Sequence, residues 1–301
     1  MWANKNEKNN FQVDFVDSQK KSIAVIGTVF VDYKGFAGAD YHAQGRNLGQ
    51  IQTVAGGVAR NVAVNMACLG MDTWFASVVN QDSDLALRQQ LVEQSIHLDF
   101  LHTVPSGGTG IWLAILAHDG TLLGSISQMP DIAILAQSII PILPKLFSGV
   151  KSIALETDLG VELVQEVIEQ ATKADCKIYA LPGNLSVLLA HPELLSRIEC
   201  FICNHTEAEK LSGGLCFNHP DQALSNLRQF AHICQLKNIV VTLGEQGAVY
   251  LDAAGNIGHQ PVLPVAVVDT TGAGDAFFSG TVAALVQGQA LKEAVALGAK
   301  L

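Results

Sequence analysis

Short apolar runs alternate with longer amphipathic stretches along most of this chain, and that rhythm predicts its elements. Residues 23–31 (Ile, Ala, Val, Ile, Gly, Thr, Val, Phe, Val) read as one buried strand ending at Asp32. Residues 55–70 place Gly56 and Gly57 before an alanine-rich helix closed by Gly70. Further strands are expected at residues 74–79, 152–155, 177–181, 200–203 and 238–243, with helices running to about Gln94, at 132–146 and at 161–173. Strand alternating with helix implies a parallel sheet covered by helices on both faces. Two regions break the rhythm: residues 33–54 are polar and spotted with glycine, while 110–118 and 122–127 flank Asp119 and Gly120, a strong hairpin signal. Together they predict one antiparallel sheet standing apart from the main one. Near the end, a β-branched run at 262–268 and a small apolar helix at 276–286 flank Asp269, Thr270, Thr271, Gly272, Ala273, Gly274 and Asp275.

With 49% hydrophobic and 15% charged residues, 301 residues make a well-cored chain: one large domain from residue 23 to 301 after a polar leader at 1–22. A net charge of -10 with no basic tract argues against nucleic acid or an anionic membrane as partner. Six scattered cysteines and no signal peptide suit reduced thiols in a cytoplasm. Cys200 and Cys203 fall on a strand, where odd spacing sends them to opposite faces, so a zinc site is not expected. Pro141 and Pro144 interrupt the most apolar stretch, residues 132–147, and no transmembrane helix is expected.

The chemistry concentrates at the glycine turn. A helix start leaves backbone N–H groups unpaired with the positive end of the macrodipole behind them, and Gly272 and Gly274 let that backbone approach an anion closely. Asp275 adds one carboxylate able to take a proton from an attacking hydroxyl. Those parts suit phosphoryl transfer, although a helix cap and a plain turn use the same residues. Asp32 reads as a ligand at a strand end or as a turn residue. Asn61 both donates and accepts, as a sugar hydroxyl requires, or is a solvated helix residue. Asn204 and Glu207, three apart where a strand enters a helix, suit a hydrated Mg²⁺ and equally a capping box. Thr242, Gly244 and Gly247 form a hairpin whose glycines leave room for a nucleotide.

Taken together, the glycine pair with Asn61, the Asn204 and Glu207 motif, the Thr242 to Gly247 turn and the Asp269 to Asp275 corner resemble the ribokinase or PfkB family of ATP-dependent sugar and nucleoside kinases in order and spacing, from residue 23 to 301. The resemblance implies a ribokinase-like three-layer α/β/α fold with a small β-sheet lid. It also implies transfer of the ATP γ-phosphoryl group to a hydroxymethyl group of a small-molecule sugar or nucleoside. By it, Asp275 is the catalytic base and the amides of Gly272, Ala273, Gly274 and Asp275 form the anion hole. Asp32, Gly57, Asn61 and Glu156 hold the acceptor; Asn204 and Glu207 serve Mg²⁺ and phosphate; Thr242, Gly244 and Gly247 serve the nucleotide. Asp269 and the Thr271 carbonyl match a site for K⁺ or Na⁺. Residues 49–61, with Ser127, Gln128 and Met129, look similar to pseudouridine kinases.

Departures from the family pattern are Phe30 where many members have Asn, Asn80 and Leu85 in a stretch usually carrying glycines, and Leu181 where Asp is common. The chain also stops at Leu301, inside what the pattern makes a continuing helix. Two rivals stay open. One is an inactive sugar- or nucleoside-binding sensor of the same fold. The other is a dinucleotide-dependent oxidoreductase, although only Gly27 follows the first strand in place of Gly-x-Gly-x-x-Gly. A P-loop kinase is excluded, since no Gly-Lys-Ser or Gly-Lys-Thr occurs. The open strand edges of a lid predict a homodimer.

Overall fold

A computed structural model describes residues 21–183, 185–264 and 271–301. In chain order the strands are β1 (Ser22–Ile26), β2 (Phe30–Ala37), β3 (Gly49–Gly56), β4 (Asp72–Asn80), β5 (Leu101–Val104), β6 (Gly110–Leu116), β7 (Leu122–Gln128), β8 (Ser152–Glu156), β9 (Lys177–Leu181), β10 (Cys200–Asn204), β11 (Ile239–Thr242), β12 (Ala248–Leu251) and β13 (Ile257–Gln260). The helices are α1 (Val58–Cys68), α2 (Gln81–Glu93), α3 (Ile132–Ile139), α4 (Leu143–Gly149), α5 (Val161–Lys173), α6 (Ser186–Ala190), α7 (His205–Leu211), α8 (Pro220–Ile233), α9 (Ala273–Val286) and α10 (Leu291–Gly298).

The main sheet runs β13-β12-β11-β10-β9-β8-β1-β4-β5, and its pairs are parallel except β11–β12 and β12–β13, which are antiparallel. Its middle strands are buried on both faces, which is why they read as unbroken apolar runs. Ala24 and Ile26 point into a core with α3, α4, α5 and α8, whereas Ile23 and Val25 point into a second core with α1, α9 and α10. Each buried Leu, Ile or Phe in these layers contributes about 1.5–3 kcal/mol relative to exposure. Cys203 joins the first core and Cys200 the second, on opposite faces as their spacing predicts. All six cysteines are free.

The single strand expected at residues 23–31 is two strands. β1 ends at Ile26, and Gly27, Thr28 and Val29 turn the chain out of the sheet into β2. The cause is Glu156, whose carboxylate takes hydrogen bonds from the Thr28 amide and hydroxyl, while the missing Cβ of Gly27 makes room for Ala59 and that carboxylate. Asp32 therefore lies inside a lid strand, not at the carboxyl end of β1.

The lid is a separate four-stranded sheet, β3-β2-β6-β7, formed from the two regions that broke the sequence rhythm. Its β2–β3 and β6–β7 pairs are antiparallel, but β2 and β6 pair in parallel, which corrects the expectation of an all-antiparallel sheet. Both strands leave the main sheet at its carboxyl edge, β2 after β1 and β6 after β5, so they run the same way before turning back. Asn80 steadies the second exit: its Oδ1 accepts from the Gly108 amide at 2.7 Å, and its own amide donates to Thr109 Oγ1 at 2.8 Å. The hairpin at Asp119 and Gly120 forms as predicted, with Gly120 at φ 88°.

Among the described residues, 132–149 form the one helical stretch apolar enough and long enough to cross a membrane. A 3-10 turn at Ile140–Ile142, carrying Pro141, breaks it, and its Leu135, Ile139, Leu143 and Phe147 are buried in the first core. Pro261, Val262, Leu263 and Pro264 are not in a strand; the rest of the strand expected at 262–268 lies outside the described residues, as does the leader up to residue 20. The antiparallel edge is made instead by β13.

Candidate active site

Strands β1, β8, β9, β10 and β11 lie side by side, so their carboxyl ends bring Thr28, Glu156, Leu181, Asn204 and Thr242 along one edge. Helices α1 and α9 pack together in the layer above it. In α9, Gly272 takes the left-handed conformation (φ 80°) as N-cap, and the helix starts at Ala273, so Gly274 and Asp275 sit in its first turn. Among the described residues, nothing lies within 4 Å of where a Cβ on Gly274 would be. The outward side of this turn is free for an anion. Thr271 stands just before it, while Asp269 lies outside the described residues.

Asp275 is reached from α1: Asn61 Nδ2 donates to its Oδ2 at 2.8 Å. Burial raises the Asp275 carboxyl to about 6, against the pull of that hydrogen bond. Glu156 is fully enclosed and bound by the Thr28 amide at 2.8 Å and hydroxyl at 2.9 Å. Burial raises its pKa, the Thr28 and Ala59 donors oppose the rise, and the charge of Asp275 adds to it. Gly57 is at φ 99°, and a Cβ there would lie 2.7 Å from the Thr28 carbonyl oxygen, so this glycine is needed where α1 meets the β1–β2 corner. Asp32 sits on the lid face turned towards α1, against Gly56. Burial raises its pKa, opposed by Lys34 and by Arg60 on α1. Asp32, Gly57, Asn61, Glu156 and Asp275 thus gather around one junction, as the sequence pattern expects. That reasoning gave Asn61 to the acceptor alone, whereas the structure ties it to Asp275.

Further along the same edge, Asn204 pairs with Thr242 across β10 and β11. Asn204 and Glu207 complete a capping box, Asn204 Oδ1 accepting from the Glu207 amide at 2.9 Å and Glu207 Oε2 from the Asn204 amide at 2.8 Å. Burial raises the Glu207 pKa. Gly244 (φ 59°) faces open space beside Thr242, but Gly247 (φ 88°) is required by the fold, since a Cβ there would collide with the Gln260 carbonyl on β13.

Sequence reasoning missed three residues. Asp158, two past Glu156, is raised to about 8 by burial and by the charges of Glu156 and Glu207. It supplies an acid beside Gly183, close to where Leu181 lacks one. Among the described residues no three acids are grouped closely enough to form a metal site by themselves; Asp158 and Glu207, whose charges repel, are two oxygen donors that suit a Mg²⁺ whose other ligands are phosphate oxygens and water. Arg60 and Thr28 are the other two; the spacing of Glu156 and Asp158 on one strand end was the available signal for the first. Two surface hollows, beside Arg228 and beside Gln137, share no residue with this set.

The sequence pattern of the pfkB family carbohydrate kinases matches residues 20–301. The chain belongs to this family. A guanosine-inosine kinase of Exiguobacterium acetylicum is 35% identical over 287 residues, covering 93% of this chain and 92% of that one. A pseudouridine kinase of Escherichia coli is 26% identical over 278 residues, covering 92% and 88%. The fold is that of an Arabidopsis thaliana ribokinase solved with ribose and ATP, at TM-score 0.76 and 23% identity over 93% of this chain and 91% of that one. As a PfkB kinase the chain is an ATP-dependent phosphotransferase acting on a hydroxyl of a sugar or nucleoside, with Mg²⁺ accompanying the ATP. The oxidoreductase alternative falls.

Proposed function

We propose that this PfkB kinase phosphorylates the hydroxymethyl group of a nucleoside. The observation that carries the reading is Asp275, held by Asn61 in the first turn of α9 at the junction with the lid strand of Asp32. Asp275 takes the acceptor proton as the hydroxyl oxygen attacks the γ-phosphorus, the bond to the bridging oxygen breaks, and ADP leaves with that electron pair. The amides of Gly272, Ala273, Gly274 and Asp275 receive the charge on the transferred group. Asp32, Gly57, Asn61 and Glu156 frame the acceptor, Glu156 by fixing the Thr28 corner. Thr242, Gly244 and Gly247 border ATP. Glu207 and Asp158, with Asn204 beside them, would hold Mg²⁺, which would supply charge neutralisation for the phosphates. K⁺ or Na⁺ at Asp269 and the Thr271 carbonyl would order the turn.

A nucleoside is favoured over a free sugar because the lid face that carries Asp32 also carries Phe30, its ring over Gly110, and Trp112, in register with Asp32. Two aromatic side chains beside a sugar-binding carboxylate suit a flat base. Guanosine-inosine and pseudouridine kinases among the relatives support the same reading. Six free cysteines suit a reducing cytoplasm.

The opposite lid face supports a homodimer. Tyr33, Ile51, Ile111, Leu113 and Ile126 alternate onto it, with Ile51 78% and Ile126 70% exposed. A second copy would cover it.

The test is ADP release from ATP with ribose, fructose 6-phosphate, adenosine, guanosine, inosine and pseudouridine as acceptors. Turnover with a nucleoside at a kcat/KM well above that of either sugar is expected. A sugar as the best acceptor would overturn the substrate assignment, and no turnover with any acceptor would favour the sensor.

A further inference from the structure

Arg60 precedes Asn61 on α1 and spans three elements. Its Nη1 donates to Asn61 Oδ1 at 3.2 Å, its Nη2 reaches Gln90 Oε1 on α2 at 3.5 Å, and Asp32 on lid strand β2 acts on its charge. Its Nε is buried and, among the described residues, makes no hydrogen bond. Asn61 in turn gives Nδ2 to Asp275. A primary amide has one donating end and one accepting end, whereas a guanidinium only donates and a carboxylate only accepts. With Arg60 on the oxygen end, the nitrogen end is turned to Asp275. Half a rotation of the amide would set N–H against N–H and oxygen against carboxylate, replacing two attractions with two repulsions.

We propose that Arg60 is a positioning residue for Asp275, acting by clamping the Asn61 amide with its donor end towards that carboxylate. Arg60 need touch neither the acceptor nor the base. Because Asp32 also acts on Arg60, the clamp links the lid to the reacting end of the site. The consequence for turnover rests on the reading of Asp275 as the base; the clamp itself does not.

Among the described residues, the charged groups around Asp275 come from few elements. Glu156 faces it from the end of β8, and Arg60 stands behind Asn61 on α1 with Asp32 of β2 beyond. Asp275 is the one acid in the first turn of α9, and α10 packs on α9 through Gly298, which lies against Phe277, Gly280 and Thr281. Against that background the Asn61 hydrogen bond is the interaction that favours the ionised carboxylate.

The experiment is a ¹³C carboxyl NMR titration of Asp275, its resonance identified by loss in Asp275→Asn, in the parent, Arg60→Met, Asn61→Ala and the double variant. Arg60→Met and Asn61→Ala should each raise the midpoint by about half to one pH unit, the equivalent of one neutral hydrogen bond. The double variant should match Asn61→Ala alone, since Arg60 then has no amide to hold. Arg60→Lys, which keeps a donor, should recover part of the shift, and Arg60→Gln replaces Arg60→Met should that variant not fold. Additive shifts would show that Arg60 acts through space by its charge, and no shift in Arg60→Met would show that the amide holds itself. Either result overturns the clamp. The titration needs no turnover: if the clamp is found but the acid limb of the pH–rate profile ignores it, Asp275 is not the base and the clamp stands.

Discussion

Helices α1 and α9 begin alike, after a glycine at positive φ, yet the two starts do opposite things. At α1 the space in front of Gly57 is filled by the chain itself, the Thr28 carbonyl and the Phe30 amide lying where a Cβ would go. At α9, among the described residues, a Cβ on the capping Gly272 would meet only Asp275 Oδ2 at 3.9 Å, one on Gly274 would meet nothing within 4 Å, and Ala273 is exposed. The same glycine-then-helix pattern therefore encodes a fitted joint in one place and room for an anion in the other. Helix α1 contributes side chains, Asn61 and Arg60, to a site whose reacting end belongs to α9. The difference lies in what stands opposite the glycine, which local sequence does not specify.

The largest effect should come from removing the one acid of the α9 start. Asp275→Asn is expected to cut turnover by about 10²–10⁴-fold while ATP still raises the melting temperature, because the amide keeps the shape and loses the base. Activity within a few-fold of the parent would reverse the roles of the two starts. With the Asp275 carboxyl near 6, kcat/KM should fall as pH drops below that value, since the protonated acid accepts nothing. Stability has the opposite sign. A carboxyl raised above its ordinary 3.8 binds its proton more tightly in the folded state, so stability is lost as pH climbs from about 4 to about 6. Asp275→Asn should thus melt no lower than the parent at pH 7, and higher if the neighbours keep their places.

Two alanines sharpen the contrast, one at the positive-φ cap of α1 and one in the first turn of α9, where Gly274 has helical backbone. Gly57→Ala should lower stability by about 1–3 kcal/mol, several degrees of melting temperature, through a disfavoured φ and a backbone clash. Gly274→Ala should leave melting within about a degree, because no described residue stands in its way, and should lower kcat with every acceptor by crowding the phosphoryl group. Equal destabilisation by both would mean that the α9 start is a joint like the other.

Legibility in the sequence followed how local each determinant was. Helix α5 and strand β9 have the predicted bounds, because each carries a strong period or an apolar run closed by polar residues. The turn at Gly27 was hidden inside an apolar run, since what bends the chain is Glu156, a residue 128 positions away from Thr28. The parallel pairing of β2 and β6 was invisible for the same reason: it follows from where both strands leave the main sheet. Asp275, Asn61 and Glu156 were readable as a set through the family pattern. Arg60 was not, because its partners come from other elements; Asp158 had only its spacing from Glu156 to mark it.

The smallest effect tests whether α1 supports or reacts. On the proposed reading Asn61 holds an acceptor hydroxyl, and it also donates to Asp275, so its loss has two parts that pH separates. Well above the midpoint of Asp275, near pH 8, the base is ionised with or without the amide, and only the acceptor contact is lost. That contact exists in ground and transition states alike, so KM for the acceptor should rise and kcat should hold. One neutral hydrogen bond is about 0.5–1.5 kcal/mol, which makes the rise roughly 2- to 12-fold. KM for ATP should not move. Near pH 6 the second part appears: without the Nδ2 donor a larger share of Asp275 is protonated, and kcat should fall as well. Steady-state kinetics of Asn61→Ala at both pH values, varying each substrate in turn, separates the two. A fall in kcat at pH 8 as large as that at pH 6 would put Asn61 among the reacting groups, and the division between a supporting α1 and a reacting α9 would fail.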